Sequence, residues 1–229
     1  GTGGDSGTGL EGLPKLPKKV YLNNSEFSVL GVKFKRYKNW LFIHYPFNVN
    51  GTYSGSEDKD TGDSSDKVKK EVAIVNSFGD KKFIYEQYRP AQNPNKVGWA
   101  DCSGLVGWIL HTVYPSMWNY GYINTGTILA YCRAHKMVVW SGSQEQFSQS
   151  EIKNIQAGDF IVMGNEPTCG AGDYSHVAFC YSGKGAKAKM ISQEGPFGAR
   201  TTYKNTVNHF VNHWWYKSEH PYFNLCRTK

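Results

Sequence analysis

The stretch DCSGLVGWILHTV, residues 101–113, decides the fold, because in it a cysteine stands directly before a helical pattern of apolar residues. Asp101 is a favourable N-cap, since its carboxylate can accept hydrogen bonds from the free backbone N–H groups of a first helical turn. Apolar residues recur at the spacing of one helical face until Pro115 ends the pattern, at Leu105, Val106, Ile109, Leu110 and Val113. The stretch therefore predicts an apolar-striped helix with Cys102 at its start.

A thiol at the start of a helix ionises more readily than a free thiol. The unpaired N–H groups and the positive end of the helix dipole favour the thiolate of Cys102, which is the nucleophilic form. The small residues Ser103 and Gly104 keep the thiol approachable. A buried structural cysteine is the alternative, because that is the usual place of this residue type. We interpret Cys102 as a catalytic nucleophile.

A cysteine nucleophile needs a base that exchanges protons near neutral pH, and imidazole is the natural group. Among the seven histidines, His176 is the best placed. It follows the polar loop GAGDYS and opens the apolar strand HVAFCY, residues 176–181, so its ring can project from a strand end into a cleft. His176 and Cys102 are far apart along the chain, so only the fold can bring them together.

The elements around these residues predict an α+β architecture. Asp66 is expected to cap a helix that ends near Gly79, with Val68, Val72, Val75 and Phe78 close to one face. Strand-like runs follow at 137–140, 159–163, 176–181 and 188–192. Before them, residues 1–17 have the composition of a flexible tether, and 18–66 form a β-rich N-terminal extension and a polar linker. Residues 67–229 are the expected catalytic domain.

Composition narrows the classes of partner. A net charge of +7 favours a polyanion such as nucleic acid, acidic lipid or an anionic cell wall, although a solvated basic surface explains it equally well. Motifs that read nucleic acids are absent, so we expect no nucleic-acid partner. Runs of about eighteen apolar residues are also absent, so we expect no membrane span. The five cysteines are widely spaced, which argues against a disulfide framework and a zinc knuckle but leaves one disulfide among the last four open.

Three motifs together carry a resemblance to a known family. DCSGLV at 101–106, GDFIVM at 158–163 and SHVAFC at 175–180 occur in that order. The series resembles the NlpC-type cell-wall peptidases, whose pattern is a DCSG nucleophile motif, a GDLVFF-like strand and an HVGIY-like strand. The resemblance implies a papain-like fold in which the cysteine helix packs on a small antiparallel sheet. It also implies hydrolysis next to a D-γ-glutamyl residue of the peptidoglycan stem, with neither metal nor cofactor.

The family also places a third polar residue on the strand after the base, where it orients the imidazole. In KMISQEGPFG, residues 189–198, Ser192 aligns best with the usual histidine. Gln193 has the more suitable amide and matches the acidic residue of the related CHAP amidases. Adjacent strand residues face opposite ways, so only one of the two can point at His176. We favour Gln193, with Ser192 as the alternative.

Family members that recognise a free stem N-terminus use the Asp and Ser that flank the nucleophile and an upstream Tyr. Asp101 and Ser103 match, and Asp101 is equally explained as a helix cap. Tyr85 and Tyr88 are the upstream candidates, in a segment that lacks the paired glycines of the family. The pair His209 and His213 lacks the glutamate of a zinc protease, so we expect no metal there.

The sequence thus predicts a Cys-His peptidase of peptidoglycan stems, within a larger multidomain protein. We expect it at the bacterial cell wall, as part of a secreted autolysin, or in a phage virion, as part of a tail protein or endolysin. Anionic wall polymers are a second expected partner. Two alternatives stay open: a CHAP-like amidase or cross-bridge endopeptidase, and a wall-binding module with an inactive catalytic centre.

Overall fold

The computed structural model describes residues 63–147, 149–165, 169, 175–213 and 222–229, with Gln149 by its backbone only. It also describes the backbone of three strands before residue 45. The chain divides into two compact units, Gly1–Pro46 and Phe47–Lys229. The expected tether, 1–17, lies outside the described residues, as does the expected polar linker up to residue 62.

The first unit contains a three-stranded antiparallel sheet. Its strands are β1 (Glu26–Val29), β2 (Val32–Tyr37) and β3 (Trp40–His44), in the order β1-β2-β3. Glu26 pairs with Lys35 and Lys33 pairs with His44, so each strand runs antiparallel to the one before it. The three strands fall within the stretch that the sequence predicted to be β-rich.

The second unit combines short helices with one large sheet. The helices are α1 (Ser64–Phe78), α2 (Pro94–Val97), α3 (Cys102–Leu110), α4 (Pro115–Trp118), α5 (Thr125–Ala134), α6 (Gln149–Asn154) and α7 (Val207–Asn212). The strands are β4 (Ile84–Tyr85), β5 (Trp99–Ala100), β6 (Val138–Ser143), β7 (Asp159–Gly164), β8 (His176–Ser182), β9 (Lys189–Gln193), β10 (Thr202–Thr206) and β11 (Tyr222–Arg227). Within the described ranges, no helix is long and apolar enough to cross a membrane.

Six of these strands form an antiparallel sheet in the order β10-β9-β8-β7-β11-β6, and β4 and β5 form a separate parallel pair. The α+β prediction is confirmed, because helices and an antiparallel sheet share one unit. The last strand, β11, lies between β7 and β6 and pairs with both. The sheet is therefore completed only when the end of the chain has been placed.

Each face of the sheet has its own apolar core. The first face carries Phe160, Val162, Val177, Phe179 and Ile191, which join the buried residues of α3 and α5. The second face carries Ile161, Met163, Ala178, Cys180 and Met190, which join Val207, Phe210 and Val211 of α7. Neighbouring residues of one strand alternate between the two cores, as the pleat requires. This alternation decides which strand side chains can reach α3.

Helix α1 differs from its prediction in two respects. Its N-cap is Asp63, which accepts a hydrogen bond from the backbone N–H of Ser65 at 3.3 Å, and Asp66 lies inside the first turn. Its buried face includes Lys67 and Glu71, whereas Val68 and Val72 are only partly buried. The apolar pattern is right for Val75 and Phe78, which are buried, and it misses Lys67 and Glu71, because their polar partners lie far away along the chain.

Candidate active site around Cys102

Cys102 is the first residue of α3, and Asp101 is the N-cap, as the sequence predicts. The Asp101 Oδ1 atom accepts hydrogen bonds from the Gly104 backbone N–H at 2.6 Å and from the Ser103 hydroxyl at 3.1 Å. A Cβ atom on Gly104 would lie 2.9 Å from that oxygen, so a larger residue here would displace the capping carboxylate. The cap fixes the backbone on both sides of the thiol.

The environment of the Cys102 thiol does not favour its thiolate. Only 6% of the residue is exposed, and burial, followed by the charge of Asp101, raises its pKa to about 12. The backbone N–H groups of Val177 and Ser103 and the Arg89 guanidinium lower the pKa, and their combined effect is the smaller one. The helix start acts as the sequence analysis expected, yet desolvation outweighs it. The thiol is therefore protonated at neutral pH.

Arg89 binds the residues on both sides of Cys102. Its Nη2 atom donates to the Asp101 carboxylate at 2.7 Å and to the Ser103 hydroxyl at 3.0 Å. Its Nε atom donates to the Ile123 carbonyl at 2.9 Å, and Nη1 donates to the Tyr88 carbonyl at 2.9 Å. Sequence analysis did not identify Arg89. The signal was present, since an arginine stands in the segment just upstream of an acidic helix cap.

The two tyrosine candidates occupy different positions. Tyr85, on β4, is largely buried, and its pKa is raised by burial first and then by the charges of Cys102 and Asp101, which places its hydroxyl close to the thiol. The Gln87 side chain donates to that hydroxyl at 3.2 Å. Tyr88 is 36% exposed and packs edge-on against Trp99. Tyr85 is therefore the tyrosine beside Cys102, and Tyr88 is a more exposed neighbour of Trp99.

His176 begins β8, and its backbone approaches Cys102. The peptide group that joins His176 to Val177 directs the Val177 N–H toward the Cys102 sulfur. The His176 side chain lies on the second face of the sheet, because it pairs with Met163 and stacks on Phe210, with 5.9 Å between ring centroids. The structure thus brings the backbone of His176 to the thiol and directs its imidazole to the α7 side. Proton exchange between the two residues stays a prediction.

The two candidates for the orienting residue also separate by face. Gln193 is fully buried on the α3 side, where its Nε2 donates to the Phe83 carbonyl at 3.0 Å and its Oε1 accepts from the Thr202 hydroxyl at 2.6 Å. Ser192 lies on the α7 side, and its hydroxyl donates to Glu194 at 2.8 Å. The favoured residue, Gln193, is therefore on the opposite face from the His176 ring. Glu194, which sequence analysis did not select, is bonded to the residue that shares that face.

The histidine pair of α7 and the other cysteines are the remaining candidates. The rings of His209 and His213 are 5.4 Å apart, and the parts of the chain described above contain no group of three residues suited to hold a metal ion. All five cysteines are buried free thiols, so the disulfide that the sequence left open is not formed here.

No protein-family profile and no curated protein sequence matches the chain. A function for this chain therefore has to follow from its residues and their geometry.

Proposed function

We propose that this protein is a cysteine peptidase with a papain-like, NlpC-type fold that hydrolyses the stem peptides of bacterial peptidoglycan next to D-γ-glutamyl. One observation carries the proposal. The Cys102 thiol lies at the N-terminus of a buried helix on an antiparallel sheet, with the backbone N–H groups of Ser103 and Val177 directed at its sulfur. N–H groups aimed at the sulfur stabilise the negative charge that the sulfur gains as it gives up its proton to attack a carbonyl.

The chemistry consists of two acyl transfers. The Cys102 sulfur attacks the stem carbonyl while its proton passes to His176, because a thiol with a raised pKa needs a base at the moment of attack. The C–N bond then breaks, and the protonated His176 returns the proton to the leaving amine. A water molecule, deprotonated by His176, finally attacks the thioester and releases the stem acid and the Cys102 thiol.

The proposal requires the imidazole of His176 to reach the sulfur. The Cα atom of His176 is separated from the Val177 nitrogen by one carbonyl carbon, which spans about 2.4 Å. Because the Cα–Cβ bond of His176 points to the α7 face, χ1 alone cannot bring the ring to the sulfur, and the backbone at the start of β8 has to rotate as well. Substrate binding would stabilise the conformer in which the ring faces Cys102.

The net charge of +7 fits a surface that associates with anionic wall polymers. Phe197, which is 58% exposed, packs edge-on against Tyr85 and adds an exposed ring near Cys102. Flat rings of this kind can stack on the faces of sugars. We place the protein at the cell wall or in a phage virion, as one module of an autolysin, an endolysin or a tail protein.

Two further candidates each have an observation in their favour. A CHAP-like amidase or cross-bridge endopeptidase is favoured by Glu194, because this carboxylate is bonded to Ser192 on the His176 side of the sheet. A wall-binding module with an inactive centre is favoured by the raised pKa of Cys102 and by the position of the His176 ring. The amidase or cross-bridge endopeptidase would use the same acyl transfer at Cys102 and differs in the bond that is cut, whereas an inactive module gives the N–H groups around the sulfur no use.

Loss of turbidity of purified Gram-positive cell walls tests the proposal. We expect the protein to clear the walls, Cys102→Ala to abolish clearing, and Cys180→Ala, which removes another buried thiol, to leave clearing intact. Mass spectrometry of the products separates a cut next to D-γ-glutamyl from an amidase or cross-bridge cut. If folded protein sediments with several wall types but clears none, the binding module replaces the peptidase.

A further inference from the structure

We infer that Arg89 determines the charge of the substrate group that is accepted beside Cys102, and that this group is uncharged or anionic rather than an ammonium. The identity of the substrate rests on the proposed function. The charge selectivity at Cys102 does not, because it can be measured with small reagents. The inference thereby concerns the class of stem peptide that the enzyme cuts.

The geometry makes Arg89 a fixed part of the site. Its guanidinium bonds to four acceptors, two of which are the side chains that flank Cys102, namely Asp101 and Ser103. The side chains of Arg89 and Asp101 are only 12% and 5% exposed. A buried ion pair with this many additional hydrogen bonds is held in one geometry. Arg89 therefore does not simply move aside when a ligand arrives.

The electrostatic consequence follows from Asp101. A buried carboxylate next to a nucleophile, if it had no counterion, would select a substrate cation, because a buried charge must be paired. Here Arg89 already pairs with it, at 2.7 Å. A substrate ammonium at this position would find the Asp101 carboxylate already occupied by Arg89, and it would also face the positive charge of the guanidinium. Like charges so placed disfavour binding.

The substrate class follows from this charge arrangement. A stem peptide with a free amino end presents an ammonium, whereas a stem whose amino end is in an amide linkage presents a neutral group. The site around Arg89 suits the second kind, and it also tolerates a carboxylate. We therefore assign the protein to peptides that are still linked through their amino end, as in intact wall material.

Two thiol reagents of opposite charge test the site directly. The rates at which an anionic and a cationic methanethiosulfonate modify Cys102 are measured by peptide mapping. In the wild type we expect the anionic reagent to react at least as fast as the cationic one. In Arg89→Gln, which leaves Asp101 without its counterion, the ratio of rates should shift by about tenfold toward the cation.

Three further variants serve as controls for the change in the ratio of rates. Lys187→Gln removes one exposed positive charge between α6 and α7, so its ratio should equal that of the wild type. Arg89→Lys keeps the charge and should keep the ratio. If Arg89→Gln does not fold, Asp101→Asn leaves the guanidinium without its carboxylate and should shift the ratio by about tenfold toward the anion. A wild type that favours the cation tenfold, or a ratio that Arg89→Gln leaves unchanged, overturns the inference.

Peptides then extend the test to catalysis. The kcat/KM of the wild type for an N-acetylated stem peptide should equal or exceed that for the same peptide with a free amine. The preference should move toward the amine by about tenfold in Arg89→Gln. A wild type that cuts only the free-amine peptide refutes the inference. If neither peptide is cut, the proposed function fails while the reagent ratio still decides the role of Arg89.

Discussion

Replacing Glu71 with glutamine should stabilise the protein, and increasingly so as the pH rises from 4.5 to 8. Glu71 is fully buried on the inner face of α1, where the Thr228 hydroxyl lies 2.8 and 3.0 Å from its two carboxyl oxygens. Burial raises the pKa of Glu71 to about 8, against the lowering by Thr228 and by the Lys67 ammonium. The folded protein therefore holds a proton on Glu71 that the unfolded chain releases.

This difference in pKa makes the free energy of unfolding depend on pH. Below the unfolded pKa of 4.5, Glu71 is protonated in both states and costs no stability. Above pH 4.5 the cost grows with pH until pH 8. A difference of about 3.5 pH units at about 1.4 kcal/mol each gives roughly 5 kcal/mol between these limits. Glutamine has nearly the same shape, keeps a partner for Thr228 and carries no charge, so Glu71→Gln avoids most of this loss.

Urea denaturation followed by tryptophan fluorescence measures the effect at pH 4, 6 and 8. The free energy of unfolding of Glu71→Gln should match that of the wild type within about 1 kcal/mol at pH 4 and exceed it by several kcal/mol at pH 8. Glu145→Gln, at an exposed glutamate, is the control for an unspecific effect of removing a carboxylate. An advantage that does not grow between pH 5 and pH 8 would refute the account of Glu71 as a buried neutral acid.

Three other outcomes follow from the same structure. At pH 8, iodoacetamide should modify Cys102 about a thousandfold more slowly than a model thiol, because its pKa lies about three units higher; mass mapping that finds equal or faster modification contradicts this. Gly121→Ala should destabilise the fold by about 2 kcal/mol or more, because φ is +85° there and the new Cβ would lie 2.3 Å from the Ala91 carbonyl oxygen. Gly195→Ala is the control, since its Cβ meets no atom within 4 Å, and equal melting temperatures of the two variants would disprove the clash. Arg227→Met should lower the free energy of unfolding by about 3–5 kcal/mol, because it leaves the buried Asp159 carboxylate without its ion-pair partner at 2.7 Å. Arg227→Met/Asp159→Leu should lower it less, and chemical denaturation that ranks the two variants the other way would reject this account of the pair.

The helix at Cys102 shows what local sequence can predict. Its cap, start and apolar stripe are all encoded within residues 101–110, because helix hydrogen bonds and capping bonds join residues at most four apart. The strands β7, β8 and β9 were also predicted, since each is an apolar run with its own punctuation. The α+β class followed from these elements without any knowledge of how they pair.

Strands β10 and β11 lacked such a signal. TYKNT in β10 is polar because it forms the edge of the sheet, and β11 gains its place from pairing with β7 and β6. Contacts with distant segments also explain why the buried residues Lys67 and Glu71 of α1 were not predicted. Lys67 and Glu71 are buried there because the Lys229 carbonyl and the Thr228 hydroxyl bond to them across more than 150 residues.

The candidate site divides in the same way. The sequence alone determined that Cys102 begins a helix behind an aspartate cap, and that His176 begins a strand. Only the tertiary structure decided that Arg89 pairs with Asp101, that burial keeps the thiol protonated, and that Gln193 and the His176 ring lie on opposite faces of the sheet. The first set depends on bonds between near neighbours in the chain. The second depends on which groups exclude water from one another, and that is known only when distant segments have packed together.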